Sequence, residues 1–340
     1  MAANGGDAGN GAGGAGQGAI EVRPAREADR EAVIAFCAHT WEDGDYIPYV
    51  WEEWLADTQG ALLVATVDGE PVGLAHMRML ADDEAWLEGM RVAPHLRRHG
   101  IARRLQAPLL AAARERGAQV ARLLTGATNY ASQELSAGFG FIKVAEVLRY
   151  EADALEDAAA VEADLEAEQD TGAETGAAAG EEAGDAALDV APGARLTIAG
   201  AEDFERIWDW LEHSALAPLN GGLAFGDWTA RAMTEPLLHT ALGEGRVWLL
   251  EDWGTIQALA VLEERASDEP GVRGHLHIRY MDGASEGIGR LALVLREEAG
   301  LRGLGSVVIW LPDLLILRDA MAGAGYNSSE GPLWVYAREL

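Results

Sequence analysis

The chain has 340 residues, 49% of them hydrophobic, and a formal net charge of −30. This length favours two domains, each able to bury a core of its own. A protein so acidic lacks the positive surface that binding to nucleic acid requires. No run of about 18 apolar residues is present, so the sequence predicts no transmembrane helix and no membrane partner.

The N-terminal residues 1–18 are rich in Gly and Ala and have neither a basic nor an apolar region of the kind that signal peptides carry. They are predicted to form a disordered tail, and the expected location is the cytoplasm. The single cysteine, Cys37, excludes an intramolecular disulfide and is predicted to be a small core residue.

The negative charge lies in two places. Residues 151–194 hold 14 acidic residues and no Lys or Arg, and the rest of the chain is acidic as well. Lys143 is the single lysine, and the remaining residues among the 26 Lys and Arg are all arginines. This composition indicates a halophilic protein, since high salt screens self-repulsion. A GC-biased genome with an acidic linker is the alternative.

The first half of the chain reads as alternating strands and helices in the order β-α-α-β-β-β-α-β-α-β, which predicts a mixed α/β sheet covered by helices. An Asp68-Gly69 pair predicts a tight hairpin turn, and Asp29 is a candidate helix cap. The predicted strands are 19–23, a hairpin over 61–80, 85–92, 120–126 and 141–151, and the predicted helices are 29–40, 50–55, 101–116 and 132–137.

Residues 152–194 read as an acidic linker that is helical in its first part. Residues 195–340 repeat the order of strands and helices weakly, which suggests an internal duplication. The predicted organisation is therefore a tail at 1–18, one domain at 19–151, the linker, and a second domain at 195–340.

A basic cluster surrounds one glycine in the stretch VAPHLRRHGIARRL. A strand runs through Pro94 into this turn, and a helix follows at once. Unpaired backbone N–H groups and the helix dipole make such a turn a site for phosphate or pyrophosphate. Gly100 lets an anion approach the backbone, and arginine forks suit phosphate oxygens. The alternative is a solvated basic face at a helix start, although basic side chains there oppose the dipole.

This motif, V-x-P-x-x-R-x-x-G-x-A with Val92, Pro94, Arg97, Gly100 and Ala102, resembles the acetyl-CoA pyrophosphate loop of the GNAT superfamily of N-acetyltransferases. The later stretch NYASQELSAGFGF at 129–141 resembles a further segment of that family, and the element order agrees. The resemblance covers residues 19–151. It implies a GNAT-like fold in two copies joined by the acidic linker.

The resemblance also implies roles for individual residues. The main chain of Met90, Arg91 and Val92 would pair with the pantetheine arm, and Asn129 would contact the cofactor or a water. The pyrophosphate would bind the loop residues Arg97, Arg98, His99, Gly100, Ile101, Ala102 and Arg103. Acetyl-CoA would be the acetyl donor, and no metal is expected.

Acetyl transfer needs a neutral amine, so a base must take a proton from the ammonium form. The family commonly places a carboxylate on the strand before the loop, and Glu88 stands there. An ordinary exposed Glu on an alternating strand is the alternative. Where many members have a tyrosine as general acid, this chain has Ser136. Water or Tyr130 could then protonate the thiolate, or the acid could be dispensable.

The loop after the first helix corresponds to one wall of the family's acceptor site. Trp41, Asp45, Tyr46 and Tyr49 are the candidate substrate contacts there, and the carboxylates would suit a cationic amine. The alternative is that the aromatic residues pack the two helices together. The acceptor would be a small-molecule or peptide amine.

The corresponding loop of the second half, MDGASEGIGRL, keeps Gly287 and Gly289 but has Ala284 where the arginine is expected and Glu286 before the first glycine. A carboxylate there would repel pyrophosphate. The second half is therefore predicted to be a degenerate GNAT-like domain that covers the sheet, shapes the acceptor site, packs as a pseudo-dimer or binds CoA itself. The oligomeric state stays open, and a monomer with two pseudo-symmetric halves fits.

Three functions follow from these features. The first is an acetyl-CoA-dependent N-acetyltransferase that transfers its acetyl group to a primary amine by direct attack in a ternary complex. The second is a non-catalytic acyl-CoA sensor. The third, an interaction protein that has lost its cofactor, is disfavoured by the intact loop.

Overall fold

A computed structural model describes residues 19–38, 40, 44–155, 194–267, 271–328 and 330–340. The predicted tail at 1–18 and residues 156–193 of the predicted linker lie outside the described residues. The chain divides into two compact units between Ala118 and Gln119. The predicted domain boundaries at 151 and 195 stay a prediction.

The first unit contains an antiparallel sheet in the order β1-β2-β3-β4. Its elements, in chain order, are β1 (Ile20–Pro24), α1 (Arg30–Cys37), α2 (Ile47–Ala56), β2 (Ala61–Val67), β3 (Glu70–Ala81), β4 (Glu84–Val92) and α3 (Ile101–Glu115).

Two hydrophobic contacts hold the helices on this sheet. The apolar faces of α1 and α2, with Trp51 and Trp54, pack on strands β2 and β3. Burying each such side chain contributes about 1.5–3 kcal/mol. Helix α3 approaches β3 closely because Gly73 has no side chain: a Cβ there would lie 2.8 Å from the Ile101 Cγ2 atom.

The sequence predicts most of this unit correctly. The Asp68-Gly69 turn is confirmed, because both residues have positive φ angles of 51° and 87°, as the mirror-image hairpin turn requires. Helix α2 begins at Ile47, three residues before the predicted start. Asp29 precedes α1, but its carboxylate accepts hydrogen bonds from Arg23 and from the Arg26 N–H rather than from the helix.

The second unit contains a sheet in the order β5-β14-β6-β13-β12-β11-β10-β7, with a small separate hairpin, β8-β9. Its strands are β5 (Val120–Gly126), β6 (Ile142–Asp153), β7 (Ala194–Ala199), β8 (Leu223–Phe225), β9 (Ala230–Ala232), β10 (Val247–Asp252), β11 (Thr255–Arg265), β12 (His275–Gly283), β13 (Ser306–Pro312) and β14 (Leu333–Glu339). Its helices are α4 (Tyr130–Gly138), α5 (Phe204–Glu212), α6 (Glu235–Gly243), α7 (Ser285–Leu301) and α8 (Leu315–Gly323).

The last strand of the chain is inserted among strands from the first half of the sequence. Strand β14 pairs antiparallel with β5 on one side and with β6 on the other. Strand β6 in turn pairs antiparallel with β13. The order β7-β10-β11-β12 within this sheet repeats the order β1-β2-β3-β4 of the first unit. The two strand orders are therefore alike, and an internal duplication of the chain stays a prediction.

The sequence analysis does not predict β8, β9 or α6. The two strands have three residues each, too few for a period to show. Within the described ranges, no helix combines the length and the apolar character needed to cross a bilayer. The same ranges hold no group of three His, Cys, Asp or Glu side chains arranged to hold a metal ion.

Candidate active site

Strand β4 carries a β-bulge in its middle. Leu74 pairs with Arg91 and His76 pairs with Glu88, so one residue of β3 faces two residues of β4, Gly89 and Met90. Gly89 has a φ angle of 66°. A Cβ at this position would lie 2.6 Å from the Trp54 ring. Bulges of this kind re-aim side chains and interrupt strand pairing, and they are frequent next to active sites.

Glu88, the predicted base, lies directly before this bulge. Its Oε1 atom lies 3.0 Å from Nδ1 of His76 and 3.4 Å from Nε of Arg78. Its side chain keeps 15% of its surface exposed. The carboxylate is thus held by two cationic or hydrogen-bonding groups of β3 while it stays accessible from outside.

His76 is enclosed on its other sides. Its ring stacks on Trp54, with ring centroids 4.3 Å apart and an angle of 12° between the planes. The residue is fully buried, and its Nε2 atom has no hydrogen-bond partner among the described residues. His76 and Arg78 both line an open cavity of about 390 Å³ that Glu53 and Asp57 also line.

Arg91 and Asp45 form a buried ion pair beside this cluster. The Arg91 Nε atom lies 2.8 Å from Oδ2 of Asp45, whose side chain has no exposed surface. The other oxygen, Oδ1, accepts a hydrogen bond of 3.1 Å from the Ile47 N–H at the start of α2. The pair ties the loop before α2 to strand β4. A substrate can reach the Asp45 carboxylate only if this pair opens.

The aromatic candidates differ in exposure. Tyr46 packs edge-on against Trp54 at 5.9 Å, and the Arg91 guanidinium lies 5.2 Å from its ring centroid. Desolvation raises the pKa of the Tyr46 hydroxyl to about 12. Tyr49 is 88% exposed. Trp41 lies outside the described residues.

Two residues of the basic loop have left-handed backbone conformations. Arg98 has a φ angle of 66° and Gly100 one of 78°, and left-handed residues of this kind occur in the backbone nests that bind anions. A Cβ on Gly100 would meet no atom within 4 Å, so the space above this backbone is open. The Arg97 side chain is held in place by a hydrogen bond of 3.4 Å from its Nε to the Val92 carbonyl.

Several donors of this loop have no acceptor among the described residues. The first main-chain bond of α3 runs from the Arg104 N–H to the Gly100 carbonyl at 3.1 Å. In the part of the chain that the structure describes, the N–H groups of Ile101 and Ala102 before it have no partner. The side chains of Arg97, Arg98 and Arg104 are exposed there and form no ion pair. The cluster is a local positive surface on an acidic protein.

Three candidates from the 129–141 segment belong to the second unit. Asn129 begins helix α4, where its Oδ1 accepts the Ser132 N–H at 3.2 Å. Tyr130 is 73% exposed. Ser136 is buried, and its hydroxyl donates to the Ser132 carbonyl at 2.8 Å. This hydroxyl is therefore occupied within its own helix.

The glycines of the second-half loop have a different use. A Cβ on Gly287 would lie 2.6 Å from the Gln257 carbonyl oxygen, and one on Gly289 would lie 3.3 Å from the Ala320 carbonyl oxygen. These glycines allow close packing of α7 on β11 and α8, whereas Gly100 faces open space. Strand β12 carries a bulge as well, and the pairs after it are Leu262 with Ile278 and Glu263 with His277.

Sequence reasoning missed His76. It lies in the run PVGLAHMRML, in which the apolar neighbours indicate a buried strand and nothing indicates a contact with Glu88. Its partnership with Glu88 depends on the register of β3 and β4 across the bulge. The one available signal is a lone imidazole among apolar strand residues.

Comparison with known proteins agrees with this geometry. A family model described as the acetyltransferase (GNAT) family matches residues 27–141. The chain is 31% identical over 87 residues to a histidine N-acetyltransferase from Oreochromis niloticus, and 29% identical over 87 residues to one from Scomber australasicus. These matches cover 25% of this chain and 26% of each relative, so the chain spans about a quarter of the length of these curated relatives.

The fold is similar over a longer range. The crystal structure of a GCN5-related N-acetyltransferase from Sphaerobacter thermophilus superimposes with a TM-score of 0.53 at 14% identity, covering 94% of this chain and 95% of that one. A likeness at this identity establishes the fold and no more. The family match adds that residues 27–141, which include the strand, loop and helix described above, are similar in sequence to the GNAT acetyltransferases.

Proposed function

We propose that this protein is an acetyl-CoA-dependent N-acetyltransferase whose active site lies within residues 19–151. The observation that carries the proposal is the continuous path from Glu88 through the bulge of β4 into the open basic turn at Gly100. A carboxylate that can accept a proton and a turn that can hold a pyrophosphate are thus adjacent on one strand, loop and helix.

The loop fits the phosphates of acetyl-CoA. The free amides of Ile101 and Ala102 and the guanidinium groups of Arg97, Arg98 and Arg103 would hold the pyrophosphate. The main chain of Met90 to Val92 would pair with the pantetheine arm; Met90 lies in the bulge, where the ladder with β3 is interrupted. We retain Asn129 as a proposed cofactor contact.

The reaction is a direct transfer. Glu88 accepts a proton from the ammonium group of the acceptor, and the neutral amine nitrogen attacks the thioester carbonyl carbon. The C–N bond forms, the C–S bond breaks, and CoA leaves as a thiolate, while the nitrogen loses its remaining extra proton, which passes through water to the thiolate. Since the Ser136 hydroxyl already donates to Ser132, we assign protonation of the thiolate to water. Orientation in a ternary complex supplies much of the rate.

The acceptor class is a primary amine, and histidine is the first compound to test. Both relatives named above are histidine N-acetyltransferases. We extend the test to other amino acids, polyamines and peptide N-termini, because the matched segment is a quarter of each relative.

A non-catalytic acyl-CoA sensor is the second candidate. One observation favours it: the hydroxyl at the position of the family's tyrosine is buried and engaged in its own helix. A sensor would bind acetyl-CoA and release no CoA when an amine is added.

The first experiment measures acetyl-CoA binding by calorimetry for the wild type, Gly100→Glu and Gly254→Glu. Both glycines have a φ angle of 78° and open space around the missing Cβ, so the two variants have the same strain and the same added charge. Only Gly100→Glu places a carboxylate in the proposed pyrophosphate site. We expect its affinity to fall at least about tenfold, which is about 1.4 kcal/mol, while Gly254→Glu binds as the wild type does.

The second experiment measures amine-dependent release of CoA thiol. The wild type should turn over with at least one amine, and Glu88→Gln should lose about 100-fold or more in kcat, the usual contribution of a general base. A folded wild type that does not bind acetyl-CoA would contradict both candidates. Binding without release for every amine would leave the sensor.

A further inference from the structure

His76 is a buried polar side chain that the fold of the first unit does not need. It lies in β3 with no exposed surface, and one of its two ring nitrogens has no partner among the described residues. Burying an unsatisfied polar atom costs free energy. A purely structural position between apolar strand residues would be better filled by an aliphatic side chain.

The corresponding face of the second unit also pairs a glutamate with a histidine, but their contacts differ. Beyond the β12 bulge, Glu263 pairs with His277. Glu263 accepts a hydrogen bond of 2.8 Å from Arg279, and His277 bonds to the Phe225 carbonyl at 3.1 Å. Beyond the β4 bulge, His76 bonds directly to Glu88. The contact between the two side chains therefore distinguishes the pair of the first unit.

The hydrogen bond between the two side chains fixes the state of the imidazole. An ionised carboxylate only accepts hydrogen bonds, so Nδ1 of His76 must carry the hydrogen in the 3.0 Å contact with Glu88. In the neutral ring, Nε2 is then an acceptor with a free lone pair. A buried acceptor without a partner is tolerated better than a buried donor.

Trp54 and Gly89 hold the imidazole in one orientation. Trp54 stacks on the ring at 4.3 Å, and Trp54 occupies the space that a side chain at position 89 would fill. The bulge glycine thus makes room for the residue that clamps His76. An orienting partner that is itself immobilised is what an active-site carboxylate requires.

From this arrangement we propose that His76 is a positioning residue for Glu88. Its Nδ1–H fixes the position of the carboxylate through the 3.0 Å hydrogen bond, and it shares that carboxylate with Arg78. The inference rests on the proposed function, in which Glu88 is the base. The other titratable groups around the pair are Tyr46 before α2, and Glu53 and Asp57, which line the cavity next to His76.

The test compares variants that differ in one hydrogen bond. His76→Leu replaces the imidazole by an aliphatic side chain, and His76→Phe keeps a ring to stack on Trp54; neither can donate to Glu88. His76→Asn places a side-chain N–H near the position of Nδ1. The matched control is His277→Leu, a second fully buried histidine, which bonds to the Phe225 carbonyl in the other unit.

We expect kcat for amine acetylation to fall about 10- to 100-fold in His76→Leu and His76→Phe, the value of one charge-assisted hydrogen bond. The affinity for acetyl-CoA should stay unchanged. His76→Asn should recover most of kcat, and His277→Leu should match the wild type.

Two results would overturn the inference. One is a wild-type kcat in both donor-free variants. The other is a loss of kcat in His76→Asn as large as in His76→Leu, which would indicate packing alone. If one donor-free variant does not fold, the other still decides. A wild type that releases no CoA with any amine is a different result, because it contradicts the proposed function itself.

Discussion

Gly89 occupies a left-handed backbone conformation directly beside the Trp54 ring. Alanine at this position would have to adopt a φ angle of 66° and would place its Cβ 2.6 Å from the ring. The same substitution at Gly69 requires a φ angle of 87° but meets no atom within 4 Å. Comparing the two substitutions therefore separates the free-energy cost of the left-handed backbone conformation from the cost of the contact with Trp54.

We therefore predict that Gly89→Ala lowers the free energy of unfolding by about 2–4 kcal/mol, and Gly69→Ala by about 1 kcal/mol. Denaturation by urea, followed by tryptophan fluorescence, measures both. Equal losses would mean that Trp54 moves aside at no cost. In that case the clamp on His76 would be loose.

Asp29 gives a prediction about pH. The hydrogen bond from Arg23 is the main cause that holds the pKa of this carboxyl below its ordinary value, and the Arg26 N–H adds to it. A carboxyl whose pKa is lower in the folded state stabilises the fold above its unfolded pKa of about 4, and this contribution is lost as the pH falls through the folded pKa.

Asp29→Asn should thus lose about 1–3 kcal/mol of unfolding free energy at pH 7, and the difference from the wild type should shrink as the pH falls below about 4. Urea titrations at several pH values test this. The matched control is Glu146→Gln, because the Lys143–Glu146 pair is 39% and 36% exposed and such surface pairs contribute about 0–1 kcal/mol. A difference for Asp29→Asn that is constant with pH would contradict the assignment.

Among the elements, helix α3 presents the basic loop and yet contains a proline in its interior. Pro108 has no N–H for the Arg104 carbonyl, and a proline inside a helix costs about 3 kcal/mol. Pro236, by contrast, lies in the first turn of α6, where the N–H would have no partner anyway.

We predict that Pro108→Ala raises the free energy of unfolding by about 1–3 kcal/mol and leaves acetyl-CoA affinity unchanged. Pro236→Ala should lower the free energy of unfolding by about 0.5 kcal/mol or less, because the unfolded chain gains conformational freedom. Thermal denaturation and calorimetry check the pair. A loss of stability in Pro108→Ala would mean that the helix is bent at this point to fit the sheet.

The elements also show how far a sequence can be interpreted. The hairpin of β2 and β3 was predictable because strand alternation and the Asp68-Gly69 turn are local signals. Helix α3 was predictable from its apolar spacing and from Gly117 after it. Glu88 could be singled out as a candidate base, but its link to His76 could not, because one extra residue in the β4 bulge changes which side chains face each other.

Contacts between segments that are far apart in the chain are not indicated by any local pattern in the sequence. Strands β8 and β9 exist because they pair with each other, and β14 is placed by pairing with β5 and β6, which precede it by about two hundred residues. The glycines of the second-half loop match the family spacing in sequence. Their packing against Gln257 and Ala320 is a tertiary property.

The charge of the whole molecule leads to a prediction about salt. With a net charge of −30, the folded chain repels itself, and salt shortens the screening length from about 10 Å at 0.1 M to about 3 Å at 1 M. We expect the melting temperature to rise by several degrees, about 5 °C, over this range of KCl.

Tetramethylammonium chloride is the control for the salt experiment. It screens charge without the specific coordination that K⁺ offers, so both salts should stabilise equally. A melting temperature that stays constant or falls would argue against the halophilic interpretation. Stabilisation by KCl alone would indicate specific cation binding.

Strand β14 joins parts of the sheet that are far apart in the sequence. It pairs with β5 over Leu333 to Glu339 and with β6 over Leu333 to Ala337, and Val335 in its middle has no exposed surface. Without it, β5 and β6 would each present an unpaired edge, which favours aggregation.

A chain that ends at Pro332 should therefore lose its cooperative thermal transition and aggregate. A chain that ends at Ala337 keeps every pair with β6 and should melt within a few degrees, about 5 °C, of the full chain. A synthetic peptide of residues 333–340 added in trans should restore the transition of the shorter chain, because the groove between β5 and β6 accepts one strand in a fixed register. If the chain ending at Pro332 melts cooperatively at the wild-type temperature, the sheet does not need β14 in order to fold. The two halves of the sequence would then fold independently of each other.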